Sequence, residues 1–348
     1  MDSTAIEITF DKKGVCSFCH LVRQQEKLRK AEKKNKSKVL AKLKTGKQYD
    51  VLIVLSGGVD SSTALHLLVK NGINPYCYSI DNGWQSPEAQ ENIMRLVEGI
   101  KVPFYRYNID LKKFTELQMA FVRQGLINAE IPSDHILLSS SYEIAAKYGI
   151  KYIISGGNQA TESVMPYSWS YPARDLRHIK DVYRSVYGRE LRGLPTCGIL
   201  KFNYYRWIKG IRVINILDYY EYDRAKSIAL LEKTYGYKPY GQKHEESVYT
   251  AWFQNFYLYQ KFGIDKRKAH LSSLINSKQI TREEAVTQLL SPPIYPELGI
   301  EEKAMSYEKR SHHEFKTDEK IWNLLSTLIR QLRKPYRRLT QIGKATKG

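Results

Sequence analysis

The sequence predicts an α/β fold built on a doubly wound parallel sheet, and two observations lead to this prediction. Short apolar, β-rich runs alternate with segments of helical pattern as far as residue 218, which is typical of β-α-β units. Three of the runs end in turn-rich segments, at residues 56–62, 81–84 and 155–158. Because such sheets bind ligands at the carboxyl ends of their strands, we expect these three segments to share one crevice.

The individual elements follow from the spacing of apolar and turn residues. Five strands are predicted, at residues 51–55, 76–80, 104–107, 152–154 and 212–217. Between them, helices are predicted to begin near Thr63 and Pro87 and to cover residues 111–124 and 134–147. Beyond residue 218 only helices are predicted, at residues 223–235, 246–261, 266–276, 281–290 and 318–332.

This pattern divides the 348 residues into three expected regions. Residues 1–47 form a cysteine-containing segment and a basic arm, and residues 48–218 form the domain of the parallel sheet. Residues 219–348 form a helical region with a basic tail. A chain of this length can bury a full core, and 42% hydrophobic residues is the composition of a globular protein.

The net charge of +19 is concentrated at the two ends of the chain. Residues 23–47 hold eleven Lys or Arg and two Glu, and residues 330–348 hold seven Lys or Arg and no acidic residue. Basic ends attract RNA, membrane surfaces or acidic partners, or are simply solvated. Since the remainder is nearly balanced in charge, we do not expect nucleic acid to be a partner.

Cysteine content and hydropathy predict a cytoplasmic protein. Four cysteines in 348 residues are too few for a disulfide framework. No apolar run approaches the about 20 residues that span a bilayer, and the first residues lack the pattern of a signal peptide.

The most informative segment is the loop that follows the first predicted strand. Its backbone should bind an anion, because glycines admit a phosphate closely and a helix N-terminus presents free N–H groups. It is not a Walker A loop, since it has an aspartate where that loop has lysine. A carboxylate beside phosphates needs a bridging cation, so Asp60 suggests Mg²⁺ on a pyrophosphate. The candidate phosphate-binding residues are Ser56, Gly57, Gly58, Asp60, Ser61 and Ser62.

The loops after two further predicted strands extend the nucleotide site. Gly156, Gly157 and Asn158 should line the phosphates, with Glu162 holding Mg²⁺ or orienting the acceptor. Asp81 and Asn82 are candidates for framing adenine or ribose. The structural alternative is a pair of ordinary turns, with Glu162 in the first turn of a helix.

Two later clusters of titratable residues can supply what the first loop lacks. That loop has no lysine of its own, and nucleotide cleavage builds negative charge that needs fixed cations. Lys243, Lys266 and Arg267 are the candidate cations, and His244 or His270 could move a proton. Glu245 and Glu162 are the candidate acceptor-binding carboxylates. The alternative is that these clusters are solvated charged faces.

Cys16 and Cys19 have the spacing of half a zinc knuckle. A tetrahedral site needs two more ligands, and Cys197 is the best distant candidate. The alternatives are a redox or sulfur-carrying pair and two ordinary thiols.

The Ser56–Ser62 segment resembles the PP-loop signature of the N-type ATP pyrophosphatases. The further blocks Gly156–Glu162, Lys243–Ser247 and Asp265–Ile275, after the early Cys16-x-x-Cys19, resemble the N-acetyl sugar amidotransferases of the WbpG and PseA type. The resemblance spans about residues 8–290. It implies an adenine nucleotide alpha-hydrolase-like fold and an enzyme that uses ATP and Mg²⁺.

The resemblance also implies a reaction and partners. ATP would adenylate the acetamido group of a nucleotide-activated sugar, and ammonia would then replace its oxygen to give an acetamidino sugar for bacterial lipopolysaccharide O-antigen or other surface polysaccharide. The ammonia would come from a HisH-like glutaminase with a HisF-like channelling protein. Relatives carry an additional Cys-x-x-Cys near the start, whereas residues 1–15 here have no cysteine, so zinc would need His20, Cys197 or another group.

Two other functions fit parts of the sequence. A PP-loop tRNA-modifying enzyme, of the thiolation or lysidine type, would use the basic ends for RNA and Cys197 for sulfur transfer. A non-catalytic nucleotide-binding scaffold would have a degenerate ATP site, and the intact Ser56–Ser62 loop argues against it.

Overall fold

A five-stranded parallel sheet forms the centre of the structure, a computed structural model that describes residues 1–241, 243–325 and 327. The strands lie in the order β3-β2-β1-β4-β5, and every pair is parallel. This confirms the predicted fold class. The strands are Val51–Val54 (β1), Pro75–Asp81 (β2), Phe104–Asn108 (β3), Tyr152–Ser155 (β4) and Arg212–Asn215 (β5).

The strand order places a topological switch point between β1 and β4. The chain progresses from β1 to β3 in one direction across the sheet, and β4 and β5 extend it in the other. In this register Leu52 lies beside Ile153 and Ile53 beside Ile154. Parallel sheets of this kind bind ligands outside the carboxyl ends of the strands that flank the switch point.

Fourteen α-helices are present in the described part of the chain. They are Ser17–Lys33 (α1), Lys36–Leu43 (α2), Val59–Lys70 (α3), Pro87–Ile100 (α4), Leu111–Arg123 (α5), Ile131–Lys147 (α6), Gln159–Glu162 (α7), Leu176–Tyr187 (α8), Ile199–Asn203 (α9), Arg224–Tyr235 (α10), Val248–Trp252 (α11), Arg267–Asn276 (α12), Arg282–Leu289 (α13) and Glu301–Ser306 (α14). Two π-helical segments, Tyr204–Ile208 and Phe253–Lys261, continue α9 and α11. Short 3₁₀ turns occur at Tyr167–Trp169, Ile216–Tyr219 and His312–Glu314.

Capping residues explain where several helices begin. The side chains of Asp110 and Asp223 accept a backbone N–H from the first turns of α5 and α10. Ser86 does the same for α4, which has Pro87 at its first position. Thr281 and Glu284 form a capping box at α13.

Several elements differ from the sequence predictions. The helix predicted at residues 134–147 begins at Ile131, because Pro132 is accommodated in its first turn. Helix α8 was not predicted, although Asp175 caps it. The strand predicted at 212–217 ends at Asn215 in a 3₁₀ turn. Residues 319–325 are helical, while the rest of the helix predicted to residue 332, and the basic tail from residue 330, lie outside the described residues.

The sheet is covered on both faces, as expected for parallel strands. Val51 and Ile53 point to one side, where they join a buried cluster with Leu65 of α3. Leu52 points to the other side and packs near Tyr142 of α6. A third buried cluster, away from the sheet, joins α5, α8 and α11 to the Phe253–Lys261 segment.

The first residues of the chain pack against the C-terminal region. The Met1 amino group lies 3.1 Å from Ser272 Oγ, and Lys268 Nζ lies 2.5 Å from a carboxylate oxygen of Asp2. Within the described residues, no helix has the length and apolar character needed to cross a bilayer.

Candidate active site

The loop between β1 and α3 has a backbone that only glycine adopts readily. Gly57 has a φ of 83°, and a Cβ atom there would overlap the backbone carbonyl of Ala89. Gly58 is the N-cap of α3, so the first backbone N–H groups of that helix are free to bind an anion. Ser61 Oγ accepts from Ser56 N at 3.3 Å and donates to Gly58 O at 3.1 Å, which holds the turn closed.

Gly57→Ala is expected to destabilise the protein through both dihedral strain and overlap. The left-handed backbone alone costs about 1–3 kcal/mol for a residue other than glycine. Gly210→Ala is the matched control, because its φ is 69° and nothing lies within 4 Å of the added Cβ. Urea unfolding should show a larger loss of free energy of unfolding for Gly57→Ala, and equal losses would contradict this account.

The second glycine loop lies directly against the first. A Cβ on Gly156 would be 3.0 Å from Ser61 N, so a glycine at this position favours the close approach of the two loops. Asn158 caps α7 through Thr161 N at 2.9 Å, and its side-chain amide donates to Asp60 Oδ2 at 3.2 Å. The loops after β1 and β4 therefore form one unit at the switch point.

Asp60 is the centre of a polar cluster between these loops. Its carboxylate accepts a hydrogen bond from Tyr222 and lies 2.7 Å from Lys243 Nζ. The same ammonium group is 3.0 Å from Glu162 Oε1 and 2.5 Å from Thr161 Oγ1. Residue 243, far along the chain, thus places a cation between two carboxylates at a loop that has no lysine of its own.

The electrostatic balance keeps Lys243 charged. Burial alone would lower its pKa, but the carboxylates of Asp60 and Glu162 outweigh burial, and the pKa is raised above the ordinary value for lysine. Only 12% of the Lys243 side chain is exposed. The ammonium is therefore a fixed positive charge at neutral pH.

Two histidines lie beside this cluster and are neutral at pH 7. Their rings, on His244 and His270, are 5.2 Å apart between centroids, and His244 Nε2 is 3.6 Å from Glu162 Oε1. Burial lowers the pKa of His244 to about 4 and that of His270 well below its ordinary value. Both imidazoles are therefore weak proton acceptors.

A cavity of about 430 Å³ opens at the two glycine loops. One part of its wall is polar and charged, from the loops, Arg224, Lys243 and Glu246. The rest is largely apolar, with Leu137, Leu138, Tyr142, Ile153 and Val213. A wall that is charged at one end and apolar at the other suits a nucleotide, whose phosphates and base have these two characters.

A second cavity of about 640 Å³ adjoins the first. The residues that line both are Val54, Ser56, Asp134, Leu137, Glu162, His244 and Glu246. Beyond this shared wall, the second cavity is lined by Glu130, Lys266 and His270, by the ring of Trp169, and by several amide and hydroxyl side chains. Burial lowers the pKa of Lys266 to about 8, although Glu130 and Asp134 act in the opposite direction.

The structure brings most of the predicted site residues to these two cavities. The first is lined by Ser56, Gly58, Asp60, Ser61, Gly156, Gly157, Glu162, Lys243 and His244, and the second adds Asn82, Lys266 and His270. Gly57, Ser62 and Asn158 support the loops from behind. Asp81 lines neither cavity, and its carboxylate instead accepts from Gly83 N at 3.3 Å.

The structure contradicts the prediction that Arg267 is a cation of the active site. Its buried guanidinium pairs with Asp265 at 2.7 Å and donates to the carbonyl oxygens of Gln288 and Ser291. It lines neither cavity, so its role is to join the start of α12 to the end of α13. Glu245 is also misplaced as an acceptor-binding group, because it accepts from Asn255 while its neighbour Glu246 lines both cavities.

Arg267→Gln is expected to reduce stability rather than catalysis. Breaking a buried ion pair costs about 3–5 kcal/mol, because Asp265 is left without its partner. Chemical denaturation should show this loss, while AMP formation per folded molecule stays unchanged. If Arg267→Gln is stable but no longer forms AMP, Arg267 belongs to the active site after all.

The predicted zinc ligands do not come together. Cys197 is fully buried in the cluster around Tyr142, and its backbone N donates to His135 Nε2 at 3.3 Å. Cys16 and Cys19 lie elsewhere, where Cys19 Sγ is 3.6 Å from Asn276 Nδ2, and His20 pairs with Asp11. In the part of the chain that the structure describes, no three His, Cys, Asp or Glu residues are grouped to hold a metal.

Several residues of the site could not be found from the sequence. Tyr240 lines the first cavity and donates to Glu246, and Tyr222, which lines neither cavity, donates to Asp60. Glu130 and Asp134 could have been found from the sequence. They are four residues apart, and the Pro between them marks a helix start.

Two family models match separate parts of the chain. A family model described as "LPS biosynthesis protein WbpG-like, C-terminal domain" matches residues 246–329, and one described as "Thiamine biosynthesis protein (ThiI)" matches residues 46–160. The ThiI match contains the Ser56–Ser62 loop. The WbpG-like match contains Lys266 and His270.

Among individual relatives, the uncharacterized protein MJ1599 of Methanocaldococcus jannaschii is 23% identical over 296 residues, which are 84% of this chain and 91% of that protein. A probable tRNA sulfurtransferase of Clostridium botulinum is 28% identical over 127 residues, 35% of this chain and 32% of that protein. The chain therefore spans about a third of the length of that sulfurtransferase.

Solved structures show weaker likenesses. A predicted subunit of tRNA methyltransferase from M. jannaschii has a TM-score of 0.31 and 16% identity, over 53% of this chain and 75% of that one. An NH3-dependent NAD synthetase from Campylobacter jejuni has a TM-score of 0.29 and 15% identity, over 65% and 96%. Neither likeness bears on activity. The two family matches, on the fold and loops described above, support the assignment of the chain to WbpG-type proteins with a PP-loop domain.

Proposed function

We propose that this protein is an ATP-dependent amidotransferase that converts an acetamido group of a nucleotide-activated N-acetyl sugar to an acetamidino group. The observation that carries the proposal is the pair of adjoining cavities that meet at Asp134, Glu162 and His244. One cavity has the loops of an ATP pyrophosphatase. The other is lined by residues of both matched regions, with Thr250, Lys266 and His270 from the WbpG-like region, and would hold the acceptor.

ATP would lie in the first cavity with its phosphates on the glycine loops. The N-terminus of α3 and the ammonium of Lys243 would stabilise the charge that develops as the bond between the α- and β-phosphates breaks. The apolar wall at Leu137 and Ile153 would take the base. AMP is then transferred to the amide oxygen of the acceptor, which makes that oxygen a good leaving group.

Asp60 and Glu162 fit a magnesium ion. Both carboxylates already converge on one cation, the ammonium of Lys243, at 2.7 and 3.0 Å. Carboxylates together with substrate phosphates are the usual ligands of Mg²⁺ at such sites. When bound, the metal would neutralise charge on the pyrophosphate.

The acceptor would occupy the second cavity. Its amide and hydroxyl groups, including Asn82, Ser133 and Thr250, suit the hydroxyls of a sugar, and the ring of Trp169 offers an apolar face. The WbpG-like match to residues 246–329 supports a role in the biosynthesis of lipopolysaccharide. Ammonia would come from a separate HisH-like glutaminase through a HisF-like channelling protein.

Modification of tRNA is the competing function, and the ThiI match to residues 46–160 favours it. A sulfurtransferase of the thiolation type needs a reactive thiol near the nucleotide. All four cysteines lie in described residues, and none lines either of the two cavities. Burial also raises the pKa of Cys197 to about 11, which makes it a poor nucleophile. The positions of the thiols therefore argue against thiolation.

One assay separates these functions. AMP and pyrophosphate are followed with ATP, Mg²⁺ and ammonium, offering either UDP-linked acetamido sugars or bulk tRNA. AMP release that depends on the sugar is the expected result. Release that depends on tRNA would favour the modifying enzyme, and release with neither acceptor would leave only a nucleotide-binding scaffold.

A further inference from the structure

Glu130 lines the second cavity, and only one of its two carboxylate oxygens has a hydrogen-bond partner among the described residues. It is the N-cap residue of α6. Its Oε1 accepts a hydrogen bond from Thr250 Oγ1 at 2.8 Å. Its Oε2 is shielded from solvent and has no hydrogen-bond partner among the residues that the structure describes. A buried oxygen of this kind costs free energy unless something binds to it.

The surroundings of Glu130 favour a small cationic or proton-donating ligand. Asp134, one helical turn further along α6, lines both cavities, so Glu130 lies close to where the adenylated acceptor would be. Thr250 fixes one carboxylate oxygen and leaves the other for the ligand. His270 Nε2, in the same cavity, is also shielded and unpartnered within the described chain.

The pKa of Glu130 differs from that of His270 in the same cavity. Burial, with the carboxylate of Asp134 adding to it, raises the pKa of Glu130 to about 8. Burial places the pKa of His270 well below its ordinary value. A general base works best when its pKa lies near the operating pH. Glu130 meets this condition and His270 does not.

Resting on the proposed function, we propose that Glu130 binds the incoming ammonia and is the general base for its attack on the adenylated acceptor. As the nitrogen lone pair forms the new C–N bond, one N–H bond breaks and its proton passes to Oε2 of Glu130. The C–O bond to AMP then breaks, and its electron pair leaves with AMP. The products are the amidinium group, AMP and protonated Glu130, which returns its proton to solvent.

Glu130→Gln tests this role, with two half-reactions measured separately. Acceptor-dependent exchange of labelled pyrophosphate into ATP, without ammonium, reports adenylation alone. AMP release with ammonium reports the complete reaction. Glu98→Gln, an exposed glutamate on α4, is the matched control and should leave both rates unchanged. We expect Glu130→Gln to keep pyrophosphate exchange and to lose AMP release by about 10²-fold or more.

Hydroxylamine distinguishes a lost base from a distorted cavity. Its nitrogen, once bonded to carbon, is far more acidic than that of ammonia and can lose its proton to water. Hydroxylamine should therefore restore most of the turnover of Glu130→Gln, whereas a merely structural role predicts no rescue. If this variant unfolds, Thr250→Val is the second test. It keeps the carboxylate of Glu130 but frees Oε1, so AMP release should fall by a smaller factor while pyrophosphate exchange is kept.

Three results would overturn the inference. They are unchanged AMP release in Glu130→Gln, parallel loss of exchange and AMP release in a folded variant, and failure of hydroxylamine to rescue. Failure of the proposed function looks different. In that case the wild-type protein itself shows no sugar-dependent pyrophosphate exchange, and the role of Glu130 falls with it.

Discussion

Asp60→Asn is expected to abolish AMP formation while the protein stays folded. The substitution keeps the shape of the side chain but removes the charge that faces Lys243 at 2.7 Å and that would hold Mg²⁺. Removing one preorganised electrostatic group from an active site commonly costs 10²–10³ in rate, and here the loss of metal binding adds to it, so we expect at least about 10³-fold. Pyrophosphate exchange with saturating acceptor measures the effect directly.

Tyr222→Phe tests the same carboxylate with a smaller expected effect than Asp60→Asn. It removes the hydrogen bond from Tyr222 to Asp60 and keeps the carboxylate. A hydrogen bond to a charged group contributes about 1.5–3 kcal/mol, so a loss of about tenfold or more is expected. If Asp60→Asn exchanges pyrophosphate at the wild-type rate, Asp60 does not belong to the metal and phosphate site.

Lys243→Met should cause the second largest loss. Without the ammonium, the carboxylates of Asp60 and Glu162 repel each other, and the phosphates of the proposed nucleotide would lose a fixed cation beside the glycine loops. We expect pyrophosphate exchange to fall by about 10²-fold or more. Stopped assays of ATP cleavage at saturating nucleotide separate this effect from weaker binding.

Lys238→Met is the matched control for Lys243→Met. It lies five positions earlier in the chain, is more than half exposed and pairs with Glu91 on the surface. Surface ion pairs contribute about 0–1 kcal/mol, so this variant should behave as wild type. Similar losses in both lysine variants would mean that the segment acts through folding rather than through the Lys243 charge.

The sheet and the phosphate loops could be predicted because their signals are local. A run of apolar residues before Ser56 and two adjacent glycines define a strand and a tight turn without reference to the remainder of the chain. Parallel strands then bring the loops after β1 and β4 to the same edge. The close contact of Gly156 with Ser61 followed from that topology.

The second cavity could not be predicted because its wall comes from distant parts of the chain. Glu130, Trp169 and Lys266 meet only through the packing of helices outside the sheet. Lys266 and Arg267 show the limit most clearly. They are neighbours in one charged cluster, yet Lys266 caps α12 and faces the cavity, while Arg267 turns away to Asp265. Spacing in the sequence does not determine which neighbour faces a site at a helix start.

The most direct test of the account follows the oxygen of the acceptor amide. The acetamido carbonyl of a UDP-linked sugar is labelled with ¹⁸O, and the products formed with ATP and ammonium are analysed by mass spectrometry. If the glycine loops direct AMP to that oxygen, the label appears in the phosphate of AMP. Unlabelled AMP beside an amidine product, or the formation of ADP in place of AMP, would contradict the proposed chemistry.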